Sequence, residues 1–327
     1  MTGSTAGEKV VVGTRGSKLA LAQTRSVIRR LAEAWPGVTF EERIVRTVGD
    51  AHADVSLTRL VADQSRGGGR GLFTKAIEDR LLSGEVDIAV HSAKDLPTGL
   101  AQGLRICAFA RREDARDALV LREAADALDA RGAEGDLSVL RENAIIGTSS
   151  PRRRAQLAHK RPDLRFVELR GNLDTRLRRL RERGLDAIVV AMAGLNRLGV
   201  EGLPLVTLPF DVCLPAAGQG ALAIEVRSGD VRAAELVGPL DDRRTAAAVR
   251  AERAALAALQ GGCTVPVGIH GAVEGCNLRL AAVLASPDGT AAVRCETTGD
   301  ADHPEEVGSR LAAELLGAGG EEVLQRL

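Results

Sequence analysis

A lysine and an aspartate stand together in the run His91-Ser92-Ala93-Lys94-Asp95-Leu96-Pro97, and such a pair can trade protons with a bound molecule. The same dipeptide also suits an ordinary surface turn, and His91 can equally be a core residue, so the run by itself leaves both readings open. A thiol offers a different reactivity. Cys263 follows Gly261-Gly262, which strips side-chain bulk from around it and gives access. Access is not activation: the dipole at the C-terminus of an upstream helix opposes a thiolate, and spacing alone leaves Cys263 a structural cysteine.

The densest chemistry is cationic. Between Ser150 and Leu185 there are twelve Arg or Lys residues against four Asp or Glu. Ser150 is a good helix cap and Pro151 a good first helical residue, so free backbone N–H groups and the side chains of Arg152 and Arg153 can converge there on an anion. Arg170, just before Gly171-Asn172, has the same access to the next helix start. Arg178, Arg179, Arg181 and Arg183 read instead as a solvated helix face.

Alternating strands and helices must hold these residues. Lys9 to Val12 reads as a strand, Gly13 to Gly16 as a turn, and Ser17 as the cap of a helix to about Trp35, ended by Pro36-Gly37. A second strand covers Val38 to Val45. The stretch Ser65 to Gly71 is too glycine-rich for regular structure and reads as a loop. A helix from about Phe73 to Leu82 leads to a short apolar strand, Asp87 to Val90, which delivers Lys94 and Asp95 at its C-terminal end, where open α/β sheets place their chemistry. Near residue 145 the opening recurs, since Ile145-Ile146-Gly147-Thr148 echoes Val11-Val12-Gly13-Thr14. A second α/β lobe then runs through strand Phe166 to Leu169, helix Asn172 to Arg183 and strand Asp186 to Val190. Residues 124–143 read as a surface excursion. A strand at Ala221 to Val226, a helix from about Thr245 to Leu259, several short strands and a helix from about Pro304 to Leu316 complete the chain, the last part fitting a small α+β domain.

Bulk properties narrow the function. The length of 327 residues favours two or three domains, and 45% apolar with 27% charged residues suits a globular protein. No signal peptide and no apolar run of membrane-spanning length is found, so the expectation is a cytoplasmic protein with no membrane partner. Five cysteines, Cys107, Cys213, Cys263, Cys276 and Cys295, are odd in number and lack CxxC pairs, so neither a disulfide framework nor a metal site is expected. No GxxxxGK[ST] phosphate loop occurs. Nucleic acid is the competing anion for the arginines, but the chain has no Tyr, one Trp and five Phe, and its formal charge is zero. With so few stacking platforms, a small polycarboxylate is the better ligand.

Taken together, these segments resemble the porphobilinogen deaminase family along nearly the whole chain. The strings that carry the resemblance are Thr14-Arg15-Gly16-Ser17-Lys18-Leu19-Ala20-Leu21-Ala22-Gln23, Gly69-Arg70-Gly71-Leu72-Phe73, His91 to Pro97, Gly147-Thr148-Ser149-Ser150-Pro151-Arg152-Arg153, Leu169-Arg170-Gly171-Asn172 and Gly261-Gly262-Cys263-Thr264-Val265-Pro266. The resemblance implies an α/β fold of two periplasmic-binding-protein-like (type II) lobes plus a small α+β C-terminal domain. It sets the boundaries at 8–112 with 216–240 for the first lobe, 113–215 for the second, and 241–327 for the third domain.

The resemblance also implies a hydroxymethylbilane synthase of tetrapyrrole synthesis. Four porphobilinogen molecules join head to tail, each losing ammonia, on a covalent dipyrromethane cofactor held as a thioether, which by motif position falls on Cys263. Asp95 matches the catalytic carboxylate, suited to stabilise the cationic azafulvene formed as ammonia leaves. Each ring bears an acetate and a propionate, so the cleft fills with carboxylates. Arg15, Ser17, Lys94, Ser149, Ser150, Arg152, Arg153, Arg170, Arg176 and Arg197 are the expected carboxylate contacts. Arg66, Arg70 and Phe73 would belong to a mobile loop acting as a lid. A monomer is implied, its product passed to uroporphyrinogen-III synthase.

Overall fold

The computed structural model of the chain describes residues 7–46, 74–122, 137–260 and 265–326. The expected lid residues Arg66, Arg70 and Phe73, the cofactor cysteine Cys263 and positions 124–136 of the expected excursion lie outside the described residues. Two compact units emerge, one from residues up to 112 with 221–246, the other from 113–220 with 247 onward.

In the first unit the strands are β1 (Glu8–Arg15), β2 (Val38–Val45), β3 (Ile88–Ser92), β4 (Leu104–Ala110) and β10 (Leu222–Arg227), in the sheet order β2-β1-β3-β10-β4. β1, β2 and β3 are parallel, and β10 runs antiparallel to both of its neighbours. The helix Lys18–Ala34 caps on Ser17, whose side chain accepts from the Ala20 amide, and stops at Trp35 before Pro36. Its buried face, including Val27 and Leu31, packs with Val10, Val12, Ile88, Val90 and Ile224 on one side of the sheet. On the other side the helix Lys75–Leu82 packs Ile77 and Leu81 against Val86 and Ala89.

The second unit repeats the plan. Its strands β5 (Asp117–Leu121), β6 (Ile145–Gly147), β7 (Arg165–Val167), β8 (Ala187–Ala191) and β9 (Leu205–Leu208) are ordered β7-β6-β8-β5-β9, with β6, β7 and β8 parallel and β5 antiparallel to β8 and β9. Each sheet thus has three parallel strands followed by an antiparallel one, so the two lobes share one α/β plan.

The sequence echo has a packing cause. A Cβ on Gly13 of β1 would lie 2.8 Å from Val86, and one on Gly147 of β6 would lie 2.7 Å from Leu185. Both glycines face the residue that leads into the next parallel strand. Both lobes also tie that entry down with an aspartate: Asp87 accepts from the Val11 amide at 2.9 Å, and Asp186 from the Ile145 amide at 2.7 Å.

The C-terminal part of the second unit is a three-stranded antiparallel sheet of β11 (Val267–Glu274), β12 (Asn277–Ala285) and β13 (Ala292–Asp300), where the sequence suggested several shorter strands. The helices Arg243–Ala258 and Pro304–Leu315 cover it, with Ala251, Ala255, Ile269, Leu280 and Leu311 at the centre. Small residues let the helices approach: a Cβ on Gly308 would lie 2.3 Å from the Ala251 carbonyl oxygen.

Candidate active site

In the first unit, Arg15 ends β1, Ser17 caps the following helix, and Lys94 and Asp95 follow β3. All four sit at the C-terminal edge of parallel strands, the place where an open α/β sheet exposes helix starts and loops. Ala93, Lys94 and Asp95 form one 3-10 turn directly after the strand. The turn is held at its base, because the Ala93 amide donates to the carbonyl oxygen of Ala221 at 3.0 Å. Gln23 Nε2 donates to Ser92 Oγ at 3.1 Å, fixing the strand end to the first helix. Asp95 is exposed while Ala93 and Leu96 on either side are buried, so the turn anchors its apolar residues and presents the carboxylate.

His91 is a core residue. It lies 3.2 Å from Glu225 of β10, both side chains almost fully buried. Glu78 is close by, and burial and then the Glu225 charge hold its carboxyl above the usual range.

In the second unit, Ser149, Ser150, Arg170 and the helix Met192–Arg197 lie at the equivalent edge of β6, β7 and β8. Ser150 is the N-cap of the helix Pro151–Lys160, its side chain accepting from the Arg153 amide, with Pro151 in the first helical position. Arg170 Nε pairs with Glu168 at 2.6 Å, and the Arg170 carbonyl accepts from Arg179 at 3.0 Å. Arg176 Nε donates to the Gly171 carbonyl oxygen at 2.8 Å, so this arginine folds back over its own helix start. Arg197 Nη2 donates to the Gly220 carbonyl oxygen at 2.6 Å, and burial lowers its guanidinium to about 10.

Arg152 and Arg153 differ from the open, anion-facing placement expected of a helix start. Both are buried, 5% exposed. Arg152 Nη1 donates to Asp117 Oδ2 and to the Leu214 carbonyl oxygen, each at 2.8 Å; Arg153 Nη2 donates to Asp117 Oδ1 at 2.7 Å and its Nη1 to the Val189 carbonyl oxygen at 2.8 Å. The reason is the helical period: both side chains fall on the face turned to the sheet, with Ala155, Gln156 and Leu157, while Arg154 is exposed. Burial opposes the charge on Asp117, but the two guanidinium groups more than offset it and hold the carboxyl far below the usual range.

Asp117, Gln156 and Gln219 are functional-site neighbours that sequence reasoning missed. Gln156 Oε1 accepts from the Leu214 amide at 2.7 Å, and Gln219 Nε2 donates to Asp117 Oδ1 at 2.8 Å. Nothing in the spacing of an aspartate 35 residues upstream signals its partners; the signal is only that two consecutive arginines on an apolar helix face need an acid. Two polar atoms near this edge stay unsatisfied: Ser149 Oγ and Arg153 Nε are each buried without a hydrogen-bond partner. Each has hydrogen-bonding capacity that no protein group uses.

Among the described residues no group of His, Cys, Asp and Glu could hold a metal ion, and no helix is long and apolar enough to cross a membrane.

Two family models match this chain. The family model "Porphobilinogen deaminase, dipyromethane cofactor binding domain" matches residues 10–235, and "Porphobilinogen deaminase, C-terminal domain" matches residues 246–317. A porphobilinogen deaminase of Pelotomaculum thermopropionicum is 48% identical over 318 residues, covering 97% of this chain and 96% of the relative. One of Desulforudis audaxviator is 47% identical, covering 98% of each chain, and one of Moorella thermoacetica is 46% identical, covering 98% of this chain and 96% of the relative.

Proposed function

This chain belongs to the porphobilinogen deaminase family, and from that premise we propose how its residues divide the work. The reaction is a transferase reaction of tetrapyrrole biosynthesis: porphobilinogen units are joined head to tail with release of ammonia, and hydrolysis yields hydroxymethylbilane. The family's cofactor is a dipyrromethane, and the unsatisfied Ser149 Oγ and Arg153 Nε at a helix N-terminus fit a group that brings carboxylates. When bound, the dipyrromethane supplies the pyrrole carbon that accepts the first incoming unit. We assign its thioether to Cys263, on the motif position of that cysteine after Gly261-Gly262.

Asp95 is the catalytic carboxylate. Exposed at the tip of a turn whose base is pinned to β10, it can accept a hydrogen bond from a pyrrole N–H and stabilise positive charge as ammonia departs. It can also receive the proton that the growing chain must lose. Lys94, half-buried beside it, Arg15 and Ser17 bind ring carboxylates in the first unit; Ser149, Ser150, Arg170, Arg176 and Arg197 do so in the second. Arg153 takes part through its Nε, which no protein group engages. Arg66, Arg70 and Phe73 are assigned to a lid by motif match alone. The protein works in the cytoplasm as a monomer and hands its product to uroporphyrinogen-III synthase.

The unsatisfied pair Ser149 Oγ and Arg153 Nε is the observation that supports this reading most. Incubation with porphobilinogen tests it. Ammonia release with formation of a linear tetrapyrrole supports the reading, and unchanged porphobilinogen overturns it.

A further inference from the structure

Asp117 carries more than the proposed reaction asks of it. It is the first residue of β5, fully buried, and it accepts from Arg152, Arg153 and Gln219 at 2.8, 2.7 and 2.8 Å. One carboxylate against two guanidinium groups leaves one positive charge uncompensated inside the protein. Such a charge is costly unless an anion completes the set. Cys213 does not supply it: its Sγ lies 3.4 Å from Asp117, and burial, then the Asp117 charge, push its thiol up to about 12, so it stays neutral. Among the described residues no other acid is ion-paired with either arginine.

The carboxylate is also tied to the two chain segments that lead in and out of this unit. Gln219 Nε2, which donates to Asp117, donates at 2.8 Å to the Ala115 carbonyl oxygen as well. Next to it, the Gly220 carbonyl oxygen accepts from the Glu113 amide at 3.1 Å and from Arg197 at 2.6 Å. The guanidinium pair is therefore held by Asp117, itself held by Gln219, and not by its own helix alone.

We propose that Asp117, with Gln219, is a positioning residue for ligand carboxylates: it aligns Arg152 and Arg153 while leaving one unit of positive charge for a bound carboxylate to neutralise. The proposal rests on the cofactor reading above. A purely structural Asp117 would affect only stability; a positioning Asp117 controls how fast the protein acquires its carboxylate-bearing cofactor.

The experiment follows that acquisition. The full chain, produced without porphobilinogen and then given it, is denatured at intervals and weighed intact, alongside Asp117→Asn, Gln219→Leu and Leu208→Ala. Leu208 is fully buried in β9 and serves as the control for lost stability alone. The expected result is that Gln219→Leu, which removes a neutral side-chain amide and no charge, melts within a few degrees of the parent yet gains the adduct about tenfold more slowly, with Asp117→Asn slower still. Leu208→Ala melts lower and gains the adduct at the parental rate. Should Asp117→Asn fail to fold, Gln219→Leu alone decides. A parent that gains the adduct while Gln219→Leu matches its rate overturns the positioning role and leaves the cofactor reading standing. A parent that gains no adduct overturns both.

Discussion

The backbone amide of Ala93 donates to the carbonyl oxygen of Ala221 at 3.0 Å, so the turn bearing Asp95 is fastened to the start of a strand 128 residues later in the chain. The anchor is main chain, and it does not depend on the Asp95 side chain. Asp95→Ala should therefore leave the melting temperature within about a degree of the parent. Turnover of porphobilinogen should fall by about a hundredfold or more, the range a positioned acid or base contributes. Near-normal turnover would remove Asp95 from the chemistry.

The carboxylate contacts make a graded expectation. Arg15 at the end of β1 and Arg170 shortly after β7 are half-buried, and charge-assisted hydrogen bonds are worth about 1.5–3 kcal/mol each. Arg170→Leu and Arg15→Leu should each weaken substrate use by roughly tenfold or more in kcat/KM with the fold retained. Steady-state kinetics on both variants checks this. Unchanged constants for both would move carboxylate recognition elsewhere.

Gly220 has φ of +87°, and a Cβ there would lie 2.5 Å from the Glu113 carbonyl oxygen. Gly184 also has positive φ, +61°, but its Cβ would meet only Arg122 Nη1 at 3.8 Å. Gly220→Ala should cost about 2–3 kcal/mol, strain and clash together, against about 1 kcal/mol for Gly184→Ala. Urea unfolding of the two variants gives the comparison. Equal losses would mean that the close approach to Glu113 relaxes freely.

Glu78 sets a pH dependence of defined sign. Burial and then the Glu225 charge raise its carboxyl in the folded state, and its Oε1 is buried without a hydrogen-bond partner. A raised carboxyl means that the folded chain binds more protons than the unfolded one just above the ordinary carboxylate value. The stability contribution is therefore complete below the unfolded pKa and is lost as pH rises through the folded one. Glu78→Gln should thus be more stable than the parent by about 1 kcal/mol at pH 7, with the advantage fading toward pH 4. A constant difference across that range would show that the charge is not responsible.

Much of the frame was legible because local rules decide it. Ser17 and Ser150 cap the helices they were expected to cap, and Pro36 follows the end of the first. The repeated Gly-Thr marks the first strand of each lobe, for the packing reason seen at Val86 and Leu185. Strand β5 and the Met192–Arg197 helix went unread: β5 is a short apolar run buried at every position, without alternation, and the helix has only six residues. In the site, Lys94, Asp95 and Arg15 sit at strand ends, as their sequence context indicated, while Arg170 lies three residues past β7, which ends at Val167 and not at Leu169. Burial of Arg152 and Arg153 was not readable, because it depends on Asp117, a partner supplied by a different strand. Cysteine 263 acquired its role from the family resemblance alone, since a thiol after two glycines carries no activating signal of its own.

The covalent cofactor is the central claim, and the denatured intact mass of the full chain beside its Cys263→Ala variant tests it most directly. A thioether survives denaturation, and a reversibly held ligand does not. The account expects the parent, after exposure to porphobilinogen, to be heavier than its sequence by a dipyrromethane, and the variant to match its own sequence mass. A parent that remains at its sequence mass, or a variant that carries the same increment, would contradict it.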